Sequence, residues 1–187
     1  MAEGWLGEKV RLVAMEKDKH FELVLSWIRD PEVTQWLAHP ETPMSRPAEE
    51  AWFDQAIQSS SDCMFAVELL DGTPVGVSAL HAISYAHGFA ITGSYIADPE
   101  HRGKGYGTDA AITRAHFAFE VLGLRLLQSG FIAGNMASKS MQTKLGAREI
   151  GVLPGRFWKR GKYRDEVLTV LTRDEFWAKH GQKFVHD

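Results

Sequence analysis

Residues 98–107, DPEHRGKGYG, set glycines at 103, 105 and 107 between an apolar run and an amphipathic segment. Upstream, residues 88–97 (GFAITGSYIA) read as a strand interrupted by Gly93. Downstream, Ile112, Ala115, Phe119 and Leu122 fall on one face of a helix over 108–122, and Gly123 stops it. Alternate glycines let backbone N–H groups converge and let a ligand approach closely. The helix start adds unpaired donors and the positive end of its dipole. Arg102 and Lys104 add charge, so the loop is built for an anion, and a pyrophosphate fits its span. No Gly-Lys-Ser or Gly-Lys-Thr closes it, which excludes a Walker loop. Thr108 stands where the dinucleotide fingerprint needs its third glycine. Taken alone, the loop also fits a glycine-rich turn that holds nothing.

Around this centre the chain reads as a mixed α+β fold rather than a regular βαβ array. Residues 10–15 alternate as a first strand, and Phe21, Val24, Leu25 and Ile28 mark a helix over 20–28. Pro31, Pro40, Pro43 and Pro47 then break the chain, and Pro47 suits the first turn of a helix running to Ile57. Trp52 and Phe53 cannot both face inward on it. Two strands, 64–70 and 74–80, flank the Asp71-Gly72 turn. Residues 126–133 read as a buried strand and 137–145 as a helix ended by Gly146. Two last strands lie around Gly151 and over 167–171, before a helical turn or two at 173–179.

At 187 residues the chain suits one well-buried core, a single domain over 1–187. A net charge of -3 gives no footprint for nucleic acid or an anionic membrane. No apolar run spans a bilayer, and MAEGWLGEKV lacks the build of a signal peptide. The single cysteine, Cys63, excludes an intrachain disulfide and fits a reducing, cytoplasmic setting. Eight scattered histidines without metal-ligand spacing predict no metal site.

Arg102-Gly103-Lys104-Gly105-Tyr106-Gly107 matches R/Q-x-x-G-x-G/A. Around it stand Gly7-Glu8-Lys9-Val10-Arg11-Leu12, Asp30-Pro31-Glu32-Val33-Thr34, Asn135 with Ser138, Leu145-Gly146-Ala147, and residues 161–167 (GKYRDEV). In this order the chain resembles the GNAT N-acetyltransferase superfamily, and most of all its RimJ/RimL-like branch, the ribosomal-protein-alanine acetyltransferase type. The resemblance implies a GNAT fold, a mostly antiparallel twisted sheet of six to seven strands splayed at the cofactor and flanked by helices. It implies acetyl-CoA as co-substrate, no metal, and transfer of the acetyl group to a primary amine of a small molecule or peptide. A monomer or homodimer is expected.

Carried onto this sequence, the resemblance puts residues 102–107 and Asn135 on the cofactor. It sets the Tyr95 backbone N–H at the thioester oxygen and the Ala97 backbone along pantetheine. Many members carry a tyrosine acid on the helix after Asn135, but Gln142 stands there. The branch's N-x-x-S makes Ser138 the acid candidate, although Asn and Ser are favoured at helix starts in any case. Phe157 occupies the place of the branch's glutamate. Glu100, Asp165, Glu68, His81 and His87 remain as bases, and the sequence does not choose among them. Trp36, His39, Trp52, Phe157, Trp158 and Tyr163 lie on segments that face the acceptor in this family. Arg156, Lys159, Arg160, Lys162 and Arg164 form a basic cluster, read as a solvated hairpin or an anion contact. The missing tyrosine and glutamate leave a non-catalytic acyl-CoA-binding module as the alternative to an enzyme.

Overall fold

A computed structural model of the chain describes residues 4–39 and 41–184. Pro40 and the first three residues lie outside that range. One eight-stranded sheet runs through the molecule, in the order β1-β2-β3-β4-β5-β6-β8-β7. The strands are β1 (Trp5–Leu6), β2 (Val10–Ala14), β3 (Cys63–Leu69), β4 (Pro74–Ser84), β5 (Phe89–Ile96), β6 (Leu126–Ile132), β7 (Arg148–Lys159) and β8 (Lys162–Thr172). Every neighbouring pair is antiparallel except β5 with β6. The fold class is the mixed α+β one expected, with one strand more than the expected upper count. The addition is β1, two residues long and too short to show a period.

The helices are α1 (Lys17–Ile28), α2 (Pro31–Thr34), α3 (Arg46–Ile57), α4 (Tyr106–His116), α5 (Met136–Leu145) and α6 (Arg173–His180). Side-chain oxygens set several starts. Asp30 accepts from the Glu32 N–H at 2.8 Å and Ser45 from the Ala48 N–H at 3.3 Å. Thr172 and Glu175 form a reciprocal capping box at α6. The helix expected to begin at 108 begins at Tyr106, because Gly105 enters it in the left-handed conformation (φ 89°). It also changes pitch early: residues 117–121 form a wider π turn before Gly123. The β7–β8 hairpin turns on Arg160 and Gly161, both with positive φ (49° and 76°), as a two-residue primed turn requires.

Helices cover both faces of the sheet. Leu80, Ala90, Ala115, Phe119, Leu127 and Leu171 pack together on the α4, α5 and α6 face. Phe21, Leu25, Phe53, Ala66 and Val77 pack beneath α1 and α3 on the other. Phe53 is buried and Trp52 exposed, which resolves the conflict between adjacent aromatics.

One carboxylate ties the start of the chain to α4. Asp109 accepts from the backbone N–H groups of Glu8 (3.2 Å), Lys9 (2.8 Å) and Val10 (3.0 Å). Gly7 is required beside it, since a Cβ there would clash with Asp109 Oδ2. Hydrogen bonds to a charged group contribute roughly 1.5–3 kcal/mol each, and a buried donor left unpaired costs about 1–3 kcal/mol. Asp109→Ala is therefore expected to lower stability by roughly 2–4 kcal/mol in urea unfolding, with an unchanged slope. A loss below half a kilocalorie per mole would show that the turn finds other partners.

Candidate active site

The geometry begins where β5 and β6 part. β5 stays in register with β4 along its length, from His81↔Ile91 to Gly76↔Ile96. It pairs with β6 only through Phe89↔Leu126, Ala90↔Leu127 and Ile91↔Gln128. β6 meanwhile follows β8 to its end at Ile132↔Glu166. Each strand is held by its outer neighbour, so a gap opens between Thr92–Ile96 and Ser129–Ile132. Side chains close its narrow end: Gln142 Nε2 donates to Ser129 Oγ (2.8 Å), which donates to the Thr92 carbonyl (3.3 Å).

Ladder parity states which groups of β5 face the gap. The Gly88 carbonyl accepts from Arg125 and Leu126 at the start of β6, and the Thr92 carbonyl points the same way. The Ala97 N–H instead donates to the Val75 carbonyl beyond β4, at 2.9 Å. Antiparallel pairing alternates these directions residue by residue. Even positions therefore face β6, and Ser94 N–H, Ser94 C=O and Ile96 N–H open into the gap. Tyr95 and Ala97, expected to offer backbone groups to the cofactor, turn theirs towards β4. The groups that face the gap are offset by one residue from the expected ones, a register that sequence spacing alone does not resolve.

The strand runs directly into the glycine loop. Asp98 caps a short 3-10 turn through the Glu100 N–H (2.8 Å) and meets His101 Nδ1 (3.1 Å). The Arg102 guanidinium folds back on the Ile96 carbonyl (3.1 Å) and on that of Ala97. Gly103 and Gly105 both hold positive φ (75° and 89°), and a Cβ at Gly103 would meet nothing. The first helical bond runs from Asp109 N–H to the Gly105 carbonyl (3.0 Å). The N–H groups of Tyr106, Gly107 and Thr108 thus precede it, and no side chain caps the helix. Lys9 lies against this turn, with Nζ donating to the Lys104 carbonyl at 3.0 Å. An open cavity of about 420 Å³ adjoins it, lined by Lys9, Lys104, Tyr106 and Asp71.

Asn135 caps α5 by accepting from the Ser138 N–H at 3.1 Å, so both residues build the helix start. Gln142, at the place of the absent tyrosine, is buried and locks α5 to the narrow end of the gap.

On the opposite face of β5, the Tyr95 ring stands edge-on to Trp27 (centroids 6.3 Å apart). Burial, and then the charge of Glu49, push the Tyr95 hydroxyl well above its ordinary range. Glu49 projects from α3 and is only 2% exposed, with Oε1 lacking any partner among the described residues. Burial raises its pKa to about 7, partly offset by Arg29. The heptad-like spacing Glu49–Phe53 was the available signal, since Phe53 faces the core. Glu166 lies over Gly130, where a Cβ would approach its Oε1 too closely, and meets Arg156 at 3.7 Å.

The other base candidates have structural work or exposure. Glu68 is fully buried among Arg11 (2.7 Å), Lys19 (2.5 Å) and His20 (3.3 Å). Burial raises its pKa, but those hydrogen bonds outweigh it and the net shift is downward. Asp165 accepts from the Gly155 N–H at 2.8 Å. Glu100 and His87 are exposed. His81 lies 3.7 Å from the Cβ position of Gly93 and 3.7 Å from Asp62, with its pKa lowered by burial. The basic hairpin is not simply solvated. Lys159 is buried, donating to the carbonyls of Thr34 (2.9 Å) and His39 (2.6 Å), and Arg160 pairs with Glu32 (2.7 Å). Together they fasten the segment after α1 to β7.

Among the described residues no group of three or more His, Cys, Asp or Glu could hold a metal. None of their helices is long and apolar enough to cross a membrane.

The family described as acetyltransferase (GNAT) domain matches residues 9–148. Spermidine N(1)-acetyltransferase of Escherichia coli (strain K12) is 30% identical over 128 residues, 68% of each chain. An SPbeta prophage-derived N-acetyltransferase of Bacillus subtilis (strain 168) is 25% identical over 178 residues, 95% of this chain and 97% of that one. Spermidine N-acetyltransferase of Vibrio cholerae, solved with CoA and spermine, superposes with a TM-score of 0.83. It shares 20% identity over 89% of this chain and 97% of its own, a likeness of fold. The parted sheet, the glycine loop at its end and these matches make the chain a member of the GNAT family, an acetyl-CoA-dependent N-acetyltransferase acting on amines.

Proposed function

We propose that the chain acetylates a primary amine of a small polycation of the polyamine type, with the thioester lying in the gap between β5 and β6. The observation that carries this reading is continuity: an unpaired strand edge leads directly into a glycine loop and an uncapped helix start. Pantetheine fills the missing ladder position beside Ser94–Ile96, as an added strand does at a sheet edge. The pyrophosphate takes the N–H groups of residues 103–108, with Lys104 and Lys9 supplying charge. Arg102 acts indirectly, by holding the end of β5. Asn135 and Ser138 border the thioester sulfur, and the Ser138 hydroxyl is the proton donor nearest in role to the absent tyrosine.

The acceptor class rests on two supports. The curated relative from Escherichia coli is named for spermidine. One carboxyl group, that of Glu49, also lies buried beside Tyr95 on the face of β5 away from α4, its Oε1 without a partner among the described residues. Glu49 takes the proton that the attacking amine must shed. A base with a pKa near the working pH is the efficient choice. A protein N-terminus, the acceptor implied by the RimJ/RimL-like resemblance, is the second reading. It is favoured by Asn135 and Ser138 standing together at the start of α5.

An assay of free CoA thiol with spermidine, spermine, an aminoglycoside and an alanine-ended peptide separates these readings. Turnover is expected with the polyamines, and turnover with the peptide alone would overturn the acceptor class. Binding of acetyl-CoA without turnover on any amine would favour the non-catalytic module. Gly105→Val forces a branched side chain into φ 89° and against Lys9, and is expected to abolish CoA binding in calorimetry.

Glu49→Gln is expected to lower kcat by about 10²-fold or more and to remove the rise of kcat/KM with pH near 7. The same substitution has an opposite effect on stability. Folded Glu49 holds its proton more tightly than in the unfolded chain, so stability falls as pH rises from about 4.5 to about 7. Glu49→Gln should therefore stabilise the protein at pH 8 by about 1–3 kcal/mol and leave it unchanged at pH 4. Equal melting shifts at both pH values would remove Glu49 from this role.

A further inference from the structure

Arg114 projects from α4 into the sheet and is 1% exposed. No carboxylate pairs with it among the described residues, and burial lowers its pKa to about 10. Its Nη1 donates to Ser78 Oγ (3.0 Å) and to the Gly93 carbonyl (2.9 Å), and its Nε has no partner. A buried guanidinium held only by neutral groups is strongly disfavoured beside an apolar side chain of similar volume. The place where it touches the strand suggests why one is kept there.

The Gly93 carbonyl belongs to the same peptide unit as the Ser94 N–H. At an odd position it points to β4 and to Arg114, so the Ser94 N–H points the other way, into the gap. Ser78 and Ser94 are register partners, which sets the guanidinium beside this peptide. A cation bonded to a peptide oxygen draws density from its nitrogen and strengthens the N–H as a donor. We propose that Arg114 is a positioning residue for acetyl transfer: it polarises the Gly93–Ser94 peptide, whose N–H receives the thioester oxygen.

This inference rests on the placement of the thioester in the gap. In the reaction the amine lone pair forms the N–C bond while the carbonyl π pair moves onto oxygen. That pair returns as the C–S bond breaks, the bonding pair leaves on sulfur, and the amine proton passes to the base. Negative charge thus develops first on the oxygen that the Ser94 N–H receives, across the peptide from Arg114, and then on sulfur. No carboxylate neutralises the guanidinium among the described residues, so its field is available when that charge develops.

Isotope-edited difference infrared spectroscopy of [1-13C]acetyl-CoA reads the donor directly and needs no acceptor. The bound thioester carbonyl should shift to lower frequency in the wild type, and Arg114→Met should lose most of that shift. Affinity for desacetyl-CoA should change less than about threefold, and kcat should fall by about 10- to 100-fold without a matching change in the acetyl-CoA KM. Arg114→Lys, which restores a cation, should recover part of both. A folded Arg114→Met protein with the wild-type carbonyl frequency would overturn the proposal, as would loss of the shift together with CoA affinity. If Arg114→Met does not fold, Arg114→Gln carries the same comparison, a neutral donor with a wild-type shift again overturning it. Failure of the wild type to bind acetyl-CoA would instead overturn the proposed function.

Discussion

The parting of β5 from β6 is possible because each strand is fixed by a different partner. β4 holds β5 in register to Ile96, and β8 holds β6 to Ile132. Sheet twist then separates two parallel strands that share only three register pairs. Ordinarily an interior strand edge without a ladder is strongly disfavoured, because each buried unpaired group costs about 1–3 kcal/mol. Here the narrow end is closed by Gln142 and Ser129 reaching the Thr92 carbonyl, and the wide end stays open to an extended ligand. The glycine loop completes that geometry rather than creating it. It lies where β5 ends, so a molecule laid along the edge reaches the start of α4 without turning.

Two unpaired charges of opposite sign flank the same strand. Arg114 approaches β5 from the α4 face, and Glu49 reaches Tyr95 from the α3 face. Neither has an ion-pair partner among the described residues, and burial shifts each towards its neutral form, Glu49 to about 7 and Arg114 to about 10. Acetyl transfer separates charge along that axis. With the thioester in the gap as proposed, the oxyanion and the sulfur gain negative charge near the strand edge, while the amine sheds a proton towards Glu49. A field of this orientation, built in before reaction, is the kind of preorganisation that accelerates a charge-separating step. On the proposed function it gives a use to two buried ionisable groups at places that apolar residues would fill more stably.

Strand and helix order was largely legible in the sequence, because alternation, helical spacing and glycine stops report locally. The loop at 98–107 was the clearest case: its three glycines, the strand before it and the helix after it lie where spacing puts them. The groups that matter for chemistry were less visible, and for a common reason. Asp109, Arg114 and Glu49 read as polar residues on helices, whereas each lies on a buried face three or four residues from Ile112, Ala110 or Phe53. Helical spacing from those apolar neighbours places them inward, yet residue type argues for solvent. The register of β5 was invisible for a different reason. Which backbone N–H faces the gap depends on pairing with β4, and a shift of one residue reverses it. The resemblance points to Tyr95 and Ala97, whereas the backbone groups of Ser94 and Ile96 are the ones that face the gap.

Gln142 sharpens what this site must supply. The family resemblance implies a tyrosine acid at that place, whereas the glutamine donates to Ser129 Oγ and holds α5. Loss of the acid is tolerable because the leaving group is a thiolate. A cysteine-type thiol titrates near 8.5, so expulsion at neutral pH needs little proton transfer. The harder demands are a neutral amine and a stabilised oxyanion. On the proposed function those fall to Glu49 and to the Ser94 N–H, behind whose peptide Arg114 lies. Ser138 meanwhile builds the helix start through its backbone N–H, which donates to Asn135 Oδ1, and on the proposed function a proton lent to sulfur by its hydroxyl is only an increment on that expulsion.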